Sequence, residues 1–416
     1  MKRKYFISVI KWFFYSIPII TLVVVVLYVN VLYPIIHRGR FLNDFDFFVH
    51  HIQDSFPFIG VAERRHGIDF DIVIAEKRKV ISIIYDEEDF LIVLREMNYL
   101  FNPIGHFTVL PAHSRHFIQS RDVSHRLGIP FIPHSFLPQQ ASASAVNFST
   151  NVVEEGRIAI VTLYTLTLPG VAYTESEIAY LAEFFAEIQG YEHLIIDIRQ
   201  TRGGLALAQT DLFIRPNITE TLQFYNFGFY TDGQVAWYAV TNLWAEMPAL
   251  AFRSGRLGFH LPAYGLVGEI HHIHDAHNLV DMYNLTYMNL DDLSNLTYGY
   301  KMTTFVTPET NSPFSFGGRI WVLTSAINIS ASELFARLSK HAGFTLVGET
   351  TPGATAYAGM VFFRLPRSRF IVMFDALYVT DHLGRSLEEY RVVPHYFNMY
   401  GKCALETTLA LIAQGR

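Results

Sequence analysis

An unbroken apolar run opens the chain. From Trp12 to Ile36 no residue is charged and 20 of the 25 are apolar. At ~1.5 Å per residue, that is long enough for a helix to cross a ~30 Å hydrocarbon core. Lys2, Arg3, Lys4 and Lys11 precede the run, and Arg38 and Arg40 follow it. The cation excess predicts a cytoplasmic N-terminus and an extracytoplasmic body. No small-x-small cleavage site follows, so the run reads as a retained single-pass transmembrane helix, with residues 1–40 as tip and anchor.

Two other rhythms follow. Over 41–117 the spacing is helical: Phe45, Phe48, Val49 and Ile52, then Phe90, Leu91, Val93, Leu94 and Met97 after the acidic start Asp86-Glu87-Glu88-Asp89. Residues 118–155, rich in Pro, Ser, His and Gln without periodicity, read as a linker. From 156 to 416 the pattern alternates between strand and helix. Arg157–Leu163 is a strand; Thr174-Glu175-Ser176-Glu177 is a capping box opening a helix with Ile178, Leu181, Phe185 and Ile188 on one face, ended by Gly190. His193–Arg199 is a buried strand running into Gly203-Gly204. The same grammar returns with strand Ile320–Thr324, helix Ala331–Lys340 and strand Phe344–Val347. This repetition predicts an α/β core with parallel pairing. An aromatic- and Asn-rich insert at about 215–315 has too weak a periodicity to predict elements.

Composition refines this picture. The 35 Phe, 23 Tyr and 4 Trp, with half of all residues apolar, exclude a disordered chain. A single cysteine excludes a disulfide framework and a Cys-based metal site. Beyond residue 40, 26 Lys and Arg face 38 Asp and Glu, a net of −12. A body that acidic argues against nucleic-acid binding. The anchor holds only six of the aromatics, so the excess belongs to the body, in a core, a groove or a membrane-facing surface.

Four places could carry chemistry. Ser330, in Asn328-Ile329-Ser330-Ala331-Ser332-Glu333, lies between a strand and a helix, where free N–H groups and the helix dipole favour an oxyanion. Ser330-x-x-Glu333 is equally a capping box. Asp197-Ile198-Arg199-Gln200-Thr201-Arg202-Gly203-Gly204 ends a strand in a charged pair and two glycines, which suits close approach to a ligand or simply a turn. His106, after Gly105, has a side chain that titrates near neutrality and suits a general base. Glu388, in Leu387-Glu388-Glu389-Tyr390, could orient a histidine. The run His271-His272-Ile273-His274-Asp275-Ala276-His277 is rich in metal-ligand types but lacks the His-Glu-x-x-His arrangement.

Taken in order, these places resemble the tail-specific (C-terminal-processing) and tricorn-like serine peptidases. That family's pattern runs Gly-His, IIDxRxNxGG, (T/S)xSAxE, VGExTxG and LExxGVxPD. Here these stand as GHFTVL (105–110), LIIDIRQTRGG (194–204), INISASE (327–333), LVGETTPG (346–353) and LEEYRVVPH (387–395). The resemblance implies a ClpP/crotonase-like α/β core with an N-terminal helical region that delivers His106. It implies Ser330 as nucleophile, His106 as base, Glu388 as the orienting or polarising group, and the backbone of Gly203 and Ala331 as oxyanion hole. Asp197, Arg199, Gly204 and Glu333 take supporting places, with no metal or cofactor. Position 355 is Thr355 and no lysine lies between Lys340 and Lys402, so the family's Ser–Lys scheme is out and the tricorn-like Ser-His-Glu scheme remains. Thr201 replaces the family's Asn, Arg202 and Arg391 replace glycines, His395 replaces Asp, Gly105 stands where the tricorn pattern has a second polar partner, and no segment reads as a PDZ module. The expected activity is that of a membrane-anchored serine peptidase acting on extracytoplasmic proteins or peptides. The alternatives are an inactive protein binding peptides or apolar ligands on the same scaffold and, more distantly, a metal hydrolase using His271–His277.

Overall fold

The computed structural model describes residues 17–101, 104–112, 131–132, 147–166, 173–201, 203, 206, 209–237, 264–265, 271–353 and 360–416. Residues 17–27 are helical, a π turn occupies Tyr28–Leu32, and a helix over Tyr33–Ser55 follows. Among the described residues no helix is long and apolar enough to cross a membrane. The expected spanning helix over 12–36 is therefore not found there: the π turn interrupts it, and residues 12–16 lie outside the described set.

The helical region forms as its periodicity predicts, as Tyr33–Ser55, Ile59–His66, Phe70–Ile81 and Glu87–Glu96. Asp69 and Asp86 cap the last two by accepting the N–H groups of Ile72 and Glu88, and Gly67 closes the second in the left-handed region at φ 62°. Phe45, Phe48, Ile52, Phe90, Leu94 and Met97 are buried in one core with Val372, Phe374 and Phe229 of two antiparallel sheets. The first sheet joins Thr108–Leu110, Ile371–Asp375, Met360–Arg364 and Phe131–Ile132. The helices are thus docked on the strands that follow His106.

His51 sits in this core with both ring nitrogens unpartnered among the described residues. Its ring lies 4.2 Å from the Phe47 ring and 5.3 Å from that of Phe363. Burial, reinforced by His50 and opposed by Asp54, pushes its pKa down to about 4. The unfolded chain therefore takes up the proton first as pH falls. Stability from this site is complete above pH ~6.5 and is lost on descent toward pH 4, by up to on the order of 3 kcal/mol. Denaturant midpoints measured across that window should fall for the wild type and fall less for His51→Phe; equal acid slopes would refute the assignment.

The α/β core is a six-stranded sheet in the order Tyr396–Phe397, Thr345–Gly348, Arg319–Thr324, His193–Asp197, Ile158–Leu163, Phe148–Glu154. The first five are parallel and the last is antiparallel. Leu194 and Ile196 face the helices Glu175–Glu187 and Ala331–His341, while Ile195 faces Ala404–Ala413. Burial on both faces explains why these strands are continuously apolar. The capping box at Thr174 and Glu177 forms as expected.

Phe148–Glu154 and Phe131–Ile132 correct the linker assignment, since both are strands; residues 113–130 and 133–146 lie outside the described set. The insert is likewise built on sheet. Leu222–Tyr230 pairs antiparallel with Tyr298–Val306 over all nine residues, flanked by Tyr378–Asp381 and Tyr264–Gly265. His271–Asp275 is a strand on the same sheet. Among the described residues no three His, Cys, Asp or Glu side chains gather as a metal site.

Candidate active site

Ser330 stands at the junction of the strand Arg319–Thr324 and the helix Ala331–His341. Its backbone lies at φ 60°, ψ −125°, and its side chain makes no capping hydrogen bond. A non-glycine residue in such a conformation costs on the order of 1–3 kcal/mol and persists only where its surroundings impose it. The capping-box reading of Ser330-x-x-Glu333 therefore fails on geometry. The Glu333 carboxylate instead accepts the N–H groups of Gly353 at 3.3 Å and Val392 at 3.1 Å. Burial pushes its pKa up against the opposing charge of Arg337. Ala331, at the first helical position, has no intrahelical acceptor for its N–H.

The strand His193–Asp197 delivers the glycine loop. Arg199 closes it with a two-pronged contact to Asp197, at 2.9 and 2.7 Å. Gly203 has φ 123°, and a Cβ there would lie 3.2 Å from Ser330 Cβ. A glycine is needed for this approach as well as for the backbone angle. Its N–H donates to Ser332 Oγ at 3.1 Å, so one expected oxyanion donor is held by a buried hydroxyl. Arg202, Gly204 and Thr355 lie outside the described residues.

His106 follows Gly105 in a short 3₁₀ turn, both with positive φ (62° for Gly105, 46° for His106). A Cβ at position 105 would meet the Phe58 and Phe56 rings at 2.7 and 2.8 Å. The next strand then pairs Thr108 with Met373 and Leu110 with Ile371. Continued two residues back, that antiparallel register sets Asp375 opposite His106. His106 Nδ1 lies 2.7 Å from Asp375 Oδ2, and Nε2 is buried without a hydrogen-bond partner among the described residues, Ser330 included. Burial disfavours charge on this ring, but the Asp375 carboxylate, with Glu388 behind it, prevails and pushes the pKa up to about 9.

Of the orienting and polarising roles expected of Glu388, direct contact with the ring falls to Asp375. Glu388 Oε2 accepts the Gly105 N–H at 3.1 Å rather than a ring N–H of His106. Burial, with the like charge of Asp375, pushes its pKa up to about 8, against the pull of His106. Gly353 links this loop to the nucleophile's helix: its N–H goes to Glu333, and a Cβ on it would meet the Glu388 carbonyl at 2.2 Å. Arg64 braces the next residue, donating to Glu389 at 2.7 and 3.2 Å and to buried Asp292 at 2.8 and 3.3 Å. Sequence reasoning missed Asp375. Its one signal was a carboxylate closing the apolar run Ile371-Val372-Met373-Phe374, the same signal that singled out Asp197.

The profile of peptidase family S41 matches residues 157–397. Among solved structures, a candidate peptidase from Parabacteroides merdae ATCC 43184 superposes with a TM-score of 0.53 at 14% identity, over 90% of this chain and 96% of that one. A mutant of CPAF superposes with a TM-score of 0.54 at 11% identity, over 91% and 97%. Mature CPAF complexed with lactacystin gives 0.51 at 12%, over 91% and 97%. At such identities the likeness is one of fold. A comparison with curated proteins finds no match.

Proposed function

We propose, because this chain belongs to peptidase family S41, that it is a serine peptidase cleaving peptide bonds through an acyl-enzyme on Ser330. The observation that carries the reading is the Ser330 turn, a strained non-glycine backbone at a helix N-terminus whose hydroxyl caps nothing. Ser330 Oγ attacks the carbonyl; His106 Nε2 takes its proton and returns it to the leaving amine. Asp375 holds Nδ1–H and so fixes the tautomer that leaves Nε2 as the base. Glu388, an acid whose neutral form burial favours, holds the Gly105 turn that carries the histidine. The N–H groups of Ala331 and Gly203 receive the oxyanion once Ser332 Oγ yields. A parallel sheet with helices on both faces is consistent with a ClpP/crotonase-type core.

A fluorophosphonate probe tests this, because only an activated serine reacts. Ser330 should label, and folded protein that stays unlabelled would point to a binding protein on the same scaffold.

The same reading keeps residues 12–36 as a membrane anchor, cytoplasmic at the N-terminus, with extracytoplasmic proteins or peptides as substrates. Its support is that the apolar side chains from Ile17 to Leu27 are 49–63% exposed. The full chain should stay with the membrane pellet after alkaline carbonate extraction; release to the supernatant would remove the anchor from the reading.

A further inference from the structure

Asn328 is fully buried two residues before Ser330. Its Nδ2 donates to the carbonyls of Ile198 at 2.7 Å and Thr201 at 3.0 Å, and lies 3.4 Å from Thr201 Oγ1. Oδ1 accepts the Ser325 N–H at 2.7 Å. Ser325 Oγ adds a bond to the carbonyl of Arg199 at 2.7 Å. Three carbonyls of the loop that ends in Gly203 are therefore held by the turn that ends in Ser330.

We propose that Asn328 is a positioning residue that fixes the Gly203 loop against the Ser330 turn, and so keeps the Gly203 N–H beside Ser330, where it can turn from Ser332 Oγ to the reacting carbonyl. The inference rests on the peptidase reading given above. It follows from the donor count. Two carbonyls converge on one buried point, and only a side chain with two N–H donors and an acceptor satisfies both while bonding its own turn. A hydroxyl has one donor and a shorter reach; an apolar side chain would leave the buried Thr201 carbonyl without this donor and the Ile198 carbonyl held only from within its own loop, by the N–H and Oγ1 of Thr201.

The partner at the loop end is Thr201, also fully buried, whose Oγ1 donates to the Ile198 carbonyl at 2.8 Å. The pattern this chain resembles has the two residue types the other way round, with Asn at the position of Thr201 and Thr or Ser at that of Asn328. In this chain the two side chains touch, with Asn328 Nδ2 3.4 Å from Thr201 Oγ1. The departure at Thr201 is therefore matched by one at Asn328 within a single contact.

The test compares wild type, Asn328→Ala and the reciprocal pair Thr201→Asn with Asn328→Thr. Three readouts are taken: the rate constant of fluorophosphonate labelling, its end-point stoichiometry, and amide hydrogen exchange of segment 198–203. Asn328→Ala should slow labelling by ~10²-fold, as loss of an oxyanion donor does, with the end-point still near one label per chain. Its exchange in 198–203 should quicken. The reciprocal pair should return both rates to within ~10-fold of wild type. A merely structural role would lower the end-point and leave the rate of the remaining sites unchanged. Unchanged labelling and exchange in Asn328→Ala, or a reciprocal pair no better than the single variant, would overturn the proposal. Wild-type protein that does not label refutes the peptidase reading instead, while the exchange data still decide whether Asn328 docks the loop.

Discussion

Replacing Ser330 with alanine is expected to reduce peptide hydrolysis by ~10⁴-fold or more, because no other group in the site forms the acyl-enzyme. The fold should not suffer. The Ser330 side chain caps nothing, so its removal leaves no orphaned donor at the helix start. The strain at φ 60° belongs to any residue with a Cβ, and alanine keeps it. Glycine at the same position relieves it, so Ser330→Gly should be as inactive as Ser330→Ala and melt a few degrees higher, provided the added unfolded-state freedom of glycine does not offset the relief. Activity on a denatured protein substrate and thermal melting of the three proteins together make the check. A Ser330→Ala protein within tenfold of wild-type activity would remove the nucleophile from this reading. An inactive variant with an unchanged melt separates chemistry from folding.

What was legible in the chain divides by distance along it. The parallel strands and their helices were readable because burial on both faces writes a continuous apolar run, and because the capping box at Thr174 is a local device. The turns at Ser330, Gly203 and His106 are also local, each a few residues long, but the roles proposed for these residues came from the order of the motifs and not from the turns. Two of the failures are long-range. Asp375 reaches His106 through a strand register formed between residues 265 positions apart, as Thr108 and Met373 are. The insert's ladder joins Leu222–Tyr230 to Tyr298–Val306. Its first strand alternates for four residues and is then buried throughout, so neither period prevails. The Ser330-x-x-Glu333 signature misled in the opposite sense. Its local pattern is that of a cap, but Glu333 finds the backbone of Gly353 and Val392 instead.

The assignment of Asp375, and not Glu388, as the carboxylate that orients His106 has its own consequence for the pH profile. The ring's pKa is pushed up to about 9, so at neutral pH the base is mostly protonated. The labelling rate of wild type should climb about tenfold per pH unit before levelling near pH 9. Asp375→Asn removes the charge that raises the ring's pKa, so this limb should move to lower pH. It also puts a side chain that can donate as well as accept where one that only accepts stood, so the ring can take the other tautomer and the plateau should fall by ~10²- to 10⁴-fold. The linkage has a definite sign. A histidine with a raised folded pKa contributes stability below pH ~6.5 that is lost on rising through about pH 9, and Asp375→Asn should flatten that alkaline loss. Glu388→Gln behaves differently. It replaces a carboxyl that burial keeps neutral up to about pH 8 by an amide of the same shape, whose oxygen still accepts the Gly105 N–H, and it leaves the Asp375 contact to the ring untouched. Its plateau should therefore fall by less than ~10-fold. If Glu388→Gln proved as damaging as Asp375→Asn, or if Asp375→Asn left both limb and plateau in place, the orienting role would return to Glu388. The 2.7 Å contact at Nδ1 would then be no more than packing at the end of a strand.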